Sequence, residues 1–183
     1  PCSIHDTNAA LEYARKLKRL SEEVSDEFFV VMRTYFEKPR TALGWKGLIT
    51  DPFMDESYDI DKGLEICRRL LLDITRIGLP VGCECLDPIV PQYTDELMSW
   101  SSIGARTTES QTQRSLASGL SVAVGFKNST SGDYMAAINA AKSAREGASF
   151  IGVRRDGKIA QYMTAGNPYT HIILRGGVHG PNY

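Results

Sequence analysis

The sequence predicts an α/β fold, a (β/α)8 barrel of the TIM type carrying an inserted β-hairpin and incomplete within these 183 residues. Three observations point there. Strand-like and helix-like segments alternate with brief connections from residue 81 to residue 146. Residues 28–36, Phe-Phe-Val-Val-Met-Arg-Thr-Tyr-Phe, are dense in aromatic and β-branched side chains without alternation, as in a strand buried on both faces. There is no Gly-x-Gly-x-x-Gly turn and no Walker loop, which weakens the nucleotide-binding forms of a doubly wound sheet.

In chain order, Asp6 can cap a helix whose Ala10, Tyr13, Ala14, Leu17, Leu20 and Val24 recur at helical spacing. The strand at 28–36 follows, then a turn-rich stretch over 37–58. A second helix is marked by Ile60, Leu64, Cys67, Leu71 and Ile74 and closed by Gly78-Leu79-Pro80. The rhythm then runs strand 81–86, helix 93–100, strand 102–106, helix 110–118, strand 122–127 and helix 132–146. Two short strands, 149–153 and 159–163, flank Arg155-Asp156-Gly157-Lys158, a hairpin turn signal. A last strand covers 171–174. This gives about five βα units where a closed barrel needs eight. The chain is therefore expected to be a single catalytic barrel domain over 1–183 that lacks part of its barrel, with no internal boundary.

Composition narrows the function. Hydrophobic residues make up 42% and charged residues 23%, enough to bury a sizeable core. A formal net charge of -1 gives no global reason to expect nucleic acid. No apolar run reaches the roughly 20 residues of a membrane-spanning helix and no signal peptide is seen, so a cytoplasmic location is expected. Cys2, Cys67, Cys83 and Cys85 form neither a disulfide framework nor a Cys-x-x-Cys pair, and reduced thiols are expected. Cys83 and Cys85 read as buried apolar residues rather than metal ligands.

The carboxyl ends of barrel strands form the working face of such folds, and here they are repeatedly cationic. Arg33 lies late in its strand with Lys38 and Arg40 beyond it, while Arg106, Lys127 and Arg175 end three others. One such residue would be an ordinary surface charge. Several in the same register would repel one another without an anion, and guanidinium forks match phosphate and carboxylate oxygens. A polyanionic substrate follows. Glu84 could orient a cation or a water, or pair with one of the arginines. Cys2 with His5 could form a nucleophile pair, or Cys2 a soft metal ligand and His5 a helix-start residue. The acidic stretch Asp51, Asp55, Glu56, Asp59 and Asp61 reads as a solvated loop and helix start.

Seven blocks then carry a resemblance. They are Pro1-Cys2-Ser3-Ile4-His5-Asp6, Met32-Arg33, Tyr35-Phe36-Glu37-Lys38-Pro39-Arg40-Thr41, Gly44-Trp45-Lys46-Gly47-Leu48, Ile103-Gly104-Ala105-Arg106-Thr107-Thr108-Glu109-Ser110-Gln111, Gly125-Phe126-Lys127-Asn128 and Ile173-Leu174-Arg175-Gly176-Gly177. In this order and spacing the chain resembles the feedback-regulated type I 3-deoxy-D-arabino-heptulosonate-7-phosphate (DAHP) synthases, whose reaction opens the shikimate pathway to aromatic amino acids.

The resemblance implies a transferase that condenses phosphoenolpyruvate with erythrose 4-phosphate. By it, Arg33, Lys38, Ala105 through its backbone, Arg106, Lys127 and Arg175 bind phosphoenolpyruvate, with Glu84 assisting through solvent. Lys38, Pro39, Arg40 and Thr41 receive erythrose 4-phosphate, and Lys38 meets both substrates. Cys2 supplies one ligand to a divalent metal (manganese, iron, cobalt or zinc) that polarises the sugar aldehyde. The other ligands of that metal come from later strands of the family's barrel. The 183-residue chain alone is accordingly expected to be poorly stable and inactive, and the complete protein to be a homodimer or homotetramer.

The same resemblance places an inhibitor cavity beside the barrel, walled by Pro91, Gln92, Leu116, Leu120, Ser121, Phe150 and Gly152. Relatives with glycine at the position of Gly152 tend to answer to tyrosine and those with serine to phenylalanine, which favours tyrosine here. Residues 154–156 and 161–168 depart from the family's usual hairpin. Two rival readings stand beside the synthase: a Schiff-base aldolase using Lys127, and a non-catalytic regulatory or dimer-forming remnant of the enzyme.

Overall fold

The computed structural model describes residues 3–39, 43–154, 156–176 and 180. The chain divides into two compact units, Pro1–Cys83 with Glu96–Trp100 and Glu84–Asp95 with Ser101–Tyr183.

In the first unit, α1 (Thr7–Glu23) starts where Asp6 accepts hydrogen bonds from the backbone N–H groups of Asn8 and Ala9, at 2.9 and 3.0 Å. Strand β1 is only Met32–Arg33, far shorter than the nine residues expected. Glu27 and Phe28 still donate to the Val24 carbonyl, so the chain there continues the turn that ends α1. Phe28 and Phe29 are 67% and 83% exposed. Aromatic content alone does not make a strand where the backbone bonds are already committed locally. Ladder bonds run from Met32 N–H to the Pro80 carbonyl and from Thr34 N–H to the Gly82 carbonyl.

Beyond β1 the chain folds back on itself. Lys38 N–H donates to the Lys46 carbonyl, Leu48 N–H to the Phe36 carbonyl, and Glu37 bridges Gly47. Gly47 has φ +137°, and a Cβ there would lie 2.1 Å from the Phe36 carbonyl oxygen, so this return requires glycine. Helix α2 (Ile60–Arg76) is capped by Asp59 and buries Cys67, Leu70, Leu71 and Ile74 on one face. Gly63 lets that helix approach the Ile49 backbone, and Gly78 at φ +84° ends it. Strand β2 (Val81–Glu84) pairs parallel with β1, Met32 opposite Val81 and Arg33 opposite Gly82.

The helix expected at 93–100 is shortened to α3 (Pro91–Thr94) and a 3-10 turn, Asp95–Leu97. Ser99 donates its N–H to the Val81 carbonyl, so the sheet takes this backbone and β3 begins at Trp100 (Trp100–Ile103). That start is two residues earlier than expected, and Arg106 falls in the following turn instead of ending the strand.

In the second unit, α4 (Gln111–Ala117), β4 (Ala123–Lys127) and α5 (Met135–Arg145) lie close to their expected places. The buried stripe of α5 is Ala136, Ala137, Ala140, Ala141 and Ala144, whose small side chains allow close packing on β4 and β7 (Thr170–Ile173). β4 and β7 are parallel neighbours, with Lys127 opposite Ile173. The hairpin is present: β5 (Ser149–Val153) runs antiparallel to β6 (Ile159–Met163), and Gly157 at φ +80° turns it.

These elements form a mixed α/β fold with a parallel sheet. The seven strands among the described residues do not by themselves establish an eight-stranded closure. No helix among the described residues is long and apolar enough to cross a membrane.

Candidate functional site

In the second unit three of the expected residues stand at or just past the carboxyl ends of strands. Glu84 is the last residue of β2, Lys127 the last of β4, and Arg175 follows β7 by two residues. The Glu84 side chain is 3% exposed, and its Oε1 lies 3.8 Å from Lys127 Nζ. Glu84 Oε2 is buried without a hydrogen-bond partner among the described residues. A buried carboxylate oxygen in that condition is costly, and a bound water or substrate hydroxyl would relieve it.

Gly104 makes the room for this carboxylate. A Cβ at 104 would sit 2.3 Å from Glu84 Oε1. From Gly104 the chain turns at once: the Thr107 N–H and hydroxyl both donate to the Gly104 carbonyl, at 3.0 and 3.3 Å. Ala105 and Arg106 occupy the middle of the turn, Ala105 half-buried and Arg106 exposed.

Asn128 is fully buried and organises the ends of β4 and β7. Its Nδ2 donates to the carbonyls of Gly132 and Arg175, and its Oδ1 accepts the Arg175 N–H. The expected site did not include it, although it stands in the Gly125-Phe126-Lys127-Asn128 block. A polar residue directly after an apolar strand was the available signal.

In the first unit, Arg33 is exposed at the end of β1, its guanidinium 4.0 Å from the centre of the Tyr35 ring. It helps line a cavity of about 430 Å³ with His5, Asp6, Tyr13 and Met32. Lys38 and Pro39 are half-buried in the folded-back segment, and Thr50 donates its hydroxyl to the neighbouring Glu37 carboxylate. Arg40, Thr41 and Cys2 lie outside the described residues.

The described residues do not form a metal site. Among them no group of three or more His, Cys, Asp or Glu could hold an ion. Cys67, Cys83 and Cys85 are buried thiols that form no disulfide among the described residues. Burial pushes the Cys83 thiol up to about 11, a shift only partly opposed by its hydrogen bond with Thr34, and burial also raises Cys67. Protonated buried thiols are poor ligands.

A second cavity, of about 470 Å³, lies in the second unit. Its walls include Pro91, Gln92, Leu116, Leu120, Ser121 and Phe150. Gly152 is not a lining residue; its neighbours are Tyr162 and Gln92. Tyr162 and Asn167 line the cavity and were not anticipated.

The family model described as the DAHP synthetase I family matches residues 1–183. The chain belongs to that family. It is 58% identical to the Tyr-sensitive phospho-2-dehydro-3-deoxyheptonate aldolase of Escherichia coli (strain K12) over 183 residues, covering 100% of this chain and 51% of that protein. Identity to the Phe-sensitive aldolase of the same strain is also 58%, covering 100% of this chain and 52% of that protein. The phospho-2-dehydro-3-deoxyheptonate aldolase structure from Francisella tularensis SCHU S4 superposes with a TM-score of 0.96 at 53% identity, covering 100% of this chain and 53% of that one. The chain thus spans about half the length of the relatives it matches. DAHP synthases of this family use a divalent metal.

Proposed function

We propose that the protein carrying this chain is a DAHP synthase, joining phosphoenolpyruvate to erythrose 4-phosphate. The observation that carries the reading is the cationic end of the β4–β7 pair, where Lys127 stands beside the buried Glu84 carboxylate and Asn128 fixes the backbone of Arg175. Family membership supplies the chemistry that such an end would serve.

In this reading Arg33, Lys38, Arg106, Lys127, Arg175 and the Ala105 N–H hold the phosphate and carboxylate of phosphoenolpyruvate, while Lys38, Pro39, Arg40 and Thr41 receive the sugar phosphate. C3 of phosphoenolpyruvate forms the new bond to the aldehyde carbon, whose oxygen takes up a proton. Water adds at C2, and the bond from C2 to the phosphate oxygen breaks as inorganic phosphate leaves. The cations position two anions that would otherwise repel and stabilise the charge that develops on the way, an electrostatic and proximity role. Glu84, with one oxygen lacking a hydrogen-bond partner among the described residues, is suited to orient the attacking water. Of the metal's ligands Cys2 would come from this chain, and the metal, when bound, would supply Lewis-acid polarisation of the aldehyde.

The Lys127–Glu84 pairing favours this over a Schiff-base aldolase, because a carboxylate beside a lysine favours the ammonium form, whereas Schiff-base chemistry needs the neutral amine. We read the chain as part of one catalytic domain of barrel type in a cytoplasmic homodimer or homotetramer. The 470 Å³ cavity is read as an aromatic amino-acid site, tyrosine preferred. The test is phosphoenolpyruvate consumption by the whole protein. A requirement for erythrose 4-phosphate, with phosphate released in equal amount, is expected; a silent protein that still binds an aromatic amino acid would replace this reading with the non-catalytic one.

A further inference from the structure

The segment that carries Lys38 is held by the stretch of chain that returns beside it. Two backbone hydrogen bonds, from the Lys38 N–H to the Lys46 carbonyl at 2.9 Å and from the Leu48 N–H to the Phe36 carbonyl at 2.7 Å, flank an antiparallel pairing of Glu37 with Gly47. In such a ladder successive side chains leave opposite faces, so Glu37 and Lys38 point apart. Glu37 turns to the return segment, where its Oε1 accepts the Thr50 hydroxyl at 3.0 Å. Thr50 is itself firmly placed. The Asp51 N–H donates to the Gly47 carbonyl at 3.0 Å, the Trp45 indole N–H donates to the Asp51 carbonyl at 2.8 Å, and Leu48 and Ile49 are buried. Helix α2 closes on the same backbone, since a Cβ at Gly63 would lie 2.1 Å from the Ile49 carbonyl oxygen. The Thr50 hydroxyl therefore projects from an anchored turn, and the bond it makes reaches the residue directly before Lys38.

We propose that Thr50 and Glu37 are positioning residues for Lys38, the hydroxyl-to-carboxylate bond fixing the peptide from which the lysine reaches its substrates. This rests on the DAHP synthase reading, in which Lys38 meets both phosphoenolpyruvate and erythrose 4-phosphate. Neither residue is asked to touch a substrate. A lysine ammonium sits at the end of a flexible four-carbon stem, so its aim depends on how firmly its own backbone is held. The ladder bond to Lys46 fixes one edge of that backbone, and the Thr50 bond adds a tie from the face opposite the lysine side chain. A hydrogen bond to an ionised carboxylate is among the stronger ones, so its loss should be felt at the next residue.

The experiment is a double-mutant cycle on the whole protein, with kcat and the KM of each substrate measured beside denaturant unfolding. Thr50→Val keeps the branching and removes the donor; Glu37→Met keeps the length and removes the acceptor. Each should raise both KM values by about threefold or more and lower kcat/KM by about tenfold. The double variant should fall within about twofold of either single one, because the same bond is lost in all three. Thr50→Ser, which keeps the hydroxyl, should stay within about twofold of the parent. A fold defect alone would lower the fraction of active enzyme, and so kcat, with both KM values unchanged; that result would overturn the proposal. So would parental kinetics in Thr50→Val, additive losses in the cycle, or a folded Thr50→Ser as impaired as Thr50→Val. Should Thr50→Val not fold, Glu37→Met against Glu37→Gln decides in the same way, since the glutamine amide oxygen can accept the same bond and equal impairment of the two would overturn the proposal. A parent that consumes no phosphoenolpyruvate would instead remove the reading of the function on which this proposal stands.

Discussion

Asn128 and Arg175 are joined by two hydrogen bonds: Asn128 Oδ1 accepts the Arg175 N–H at 2.8 Å, and Asn128 Nδ2 donates to the Arg175 carbonyl at 3.2 Å. A side chain here does the work of a strand neighbour at the point where the ladder ends, and so fixes where the Arg175 guanidinium begins. Asn128→Ala would leave an N–H and two carbonyls, all in part-buried positions, without this partner. We expect a loss of about 1–2 kcal/mol in denaturant unfolding and a KM for phosphoenolpyruvate raised by about tenfold or more. Unchanged KM in a destabilised variant would mean that the pair serves the fold alone.

Gly104→Ala tests the Glu84 seat. The added Cβ would fall 2.3 Å from Glu84 Oε1. That carboxylate is enclosed, with its side chain 3% exposed, so it cannot swing into solvent and must be displaced against Lys127 or its own strand. The expected result is destabilisation of about 1–3 kcal/mol with kcat/KM lowered by about a hundredfold, whereas Gly119→Ala, away from the strand ends, should spare kcat/KM. Wild-type turnover in Gly104→Ala would show that the carboxylate position is not used.

Periodicity located most elements because their faces are bound to the core: α1, α2, α4, α5, β2, β4 and the hairpin all fall near their expected limits. The failures share a cause. The side-chain character of residues 28–31 and 98–100 predicts strand and helix, while the backbone bonds of Glu27, Phe28 and Ser99 decide their state, and those depend on neighbours that local sequence does not reveal. The same applies to the candidate site. Cations could be read from residue type and register, but Asn128 and Gly104 act through contacts with residues far along the chain. Tyr162 was hidden because its partner glycine is ten residues away across a turn.

Cys83 gives the stability a pH dependence in the alkaline range. Its folded pKa, about 11, lies above the ordinary 9.0 because burial disfavours the thiolate, so the folded state holds the proton more tightly than the unfolded chain. Stability from this group is complete below pH 9 and is lost as pH rises toward 11, by an amount on the order of 2–3 kcal/mol. Cys67, also raised by burial, acts in the same direction. Thermal unfolding followed from pH 8 to pH 11 should show a falling midpoint, shallower in Cys83→Ala once Cys67 is the remaining contributor. Thiol reagents at pH 8 should label Cys67, Cys83 and Cys85 only on unfolding; rapid labelling of the native protein would contradict their enclosure.

Asn167 ties the cavity together. Its Nδ2 lies 3.1, 3.1 and 2.9 Å from the carbonyls of Ala117, Leu120 and Val122, its Oδ1 accepts the Tyr169 N–H, and its own N–H donates to the Ala144 carbonyl. An amide has two N–H donors, so three carbonyls are served by sharing one of them, and no other side chain of this size provides both that fork and the acceptor. Asp at 167 would keep the bond from Tyr169 and turn a carboxylate oxygen toward the three carbonyls. Asn167→Asp should therefore be more damaging than Asn167→Ala, which loses about 2–4 kcal/mol by leaving those groups unpaired. Both should weaken aromatic amino-acid binding more than they alter KM for either substrate, because the anchored segments form the cavity wall. Chemical denaturation with calorimetric binding checks this, and an aspartate variant as stable as the parent would show that the carbonyls do not depend on the amide.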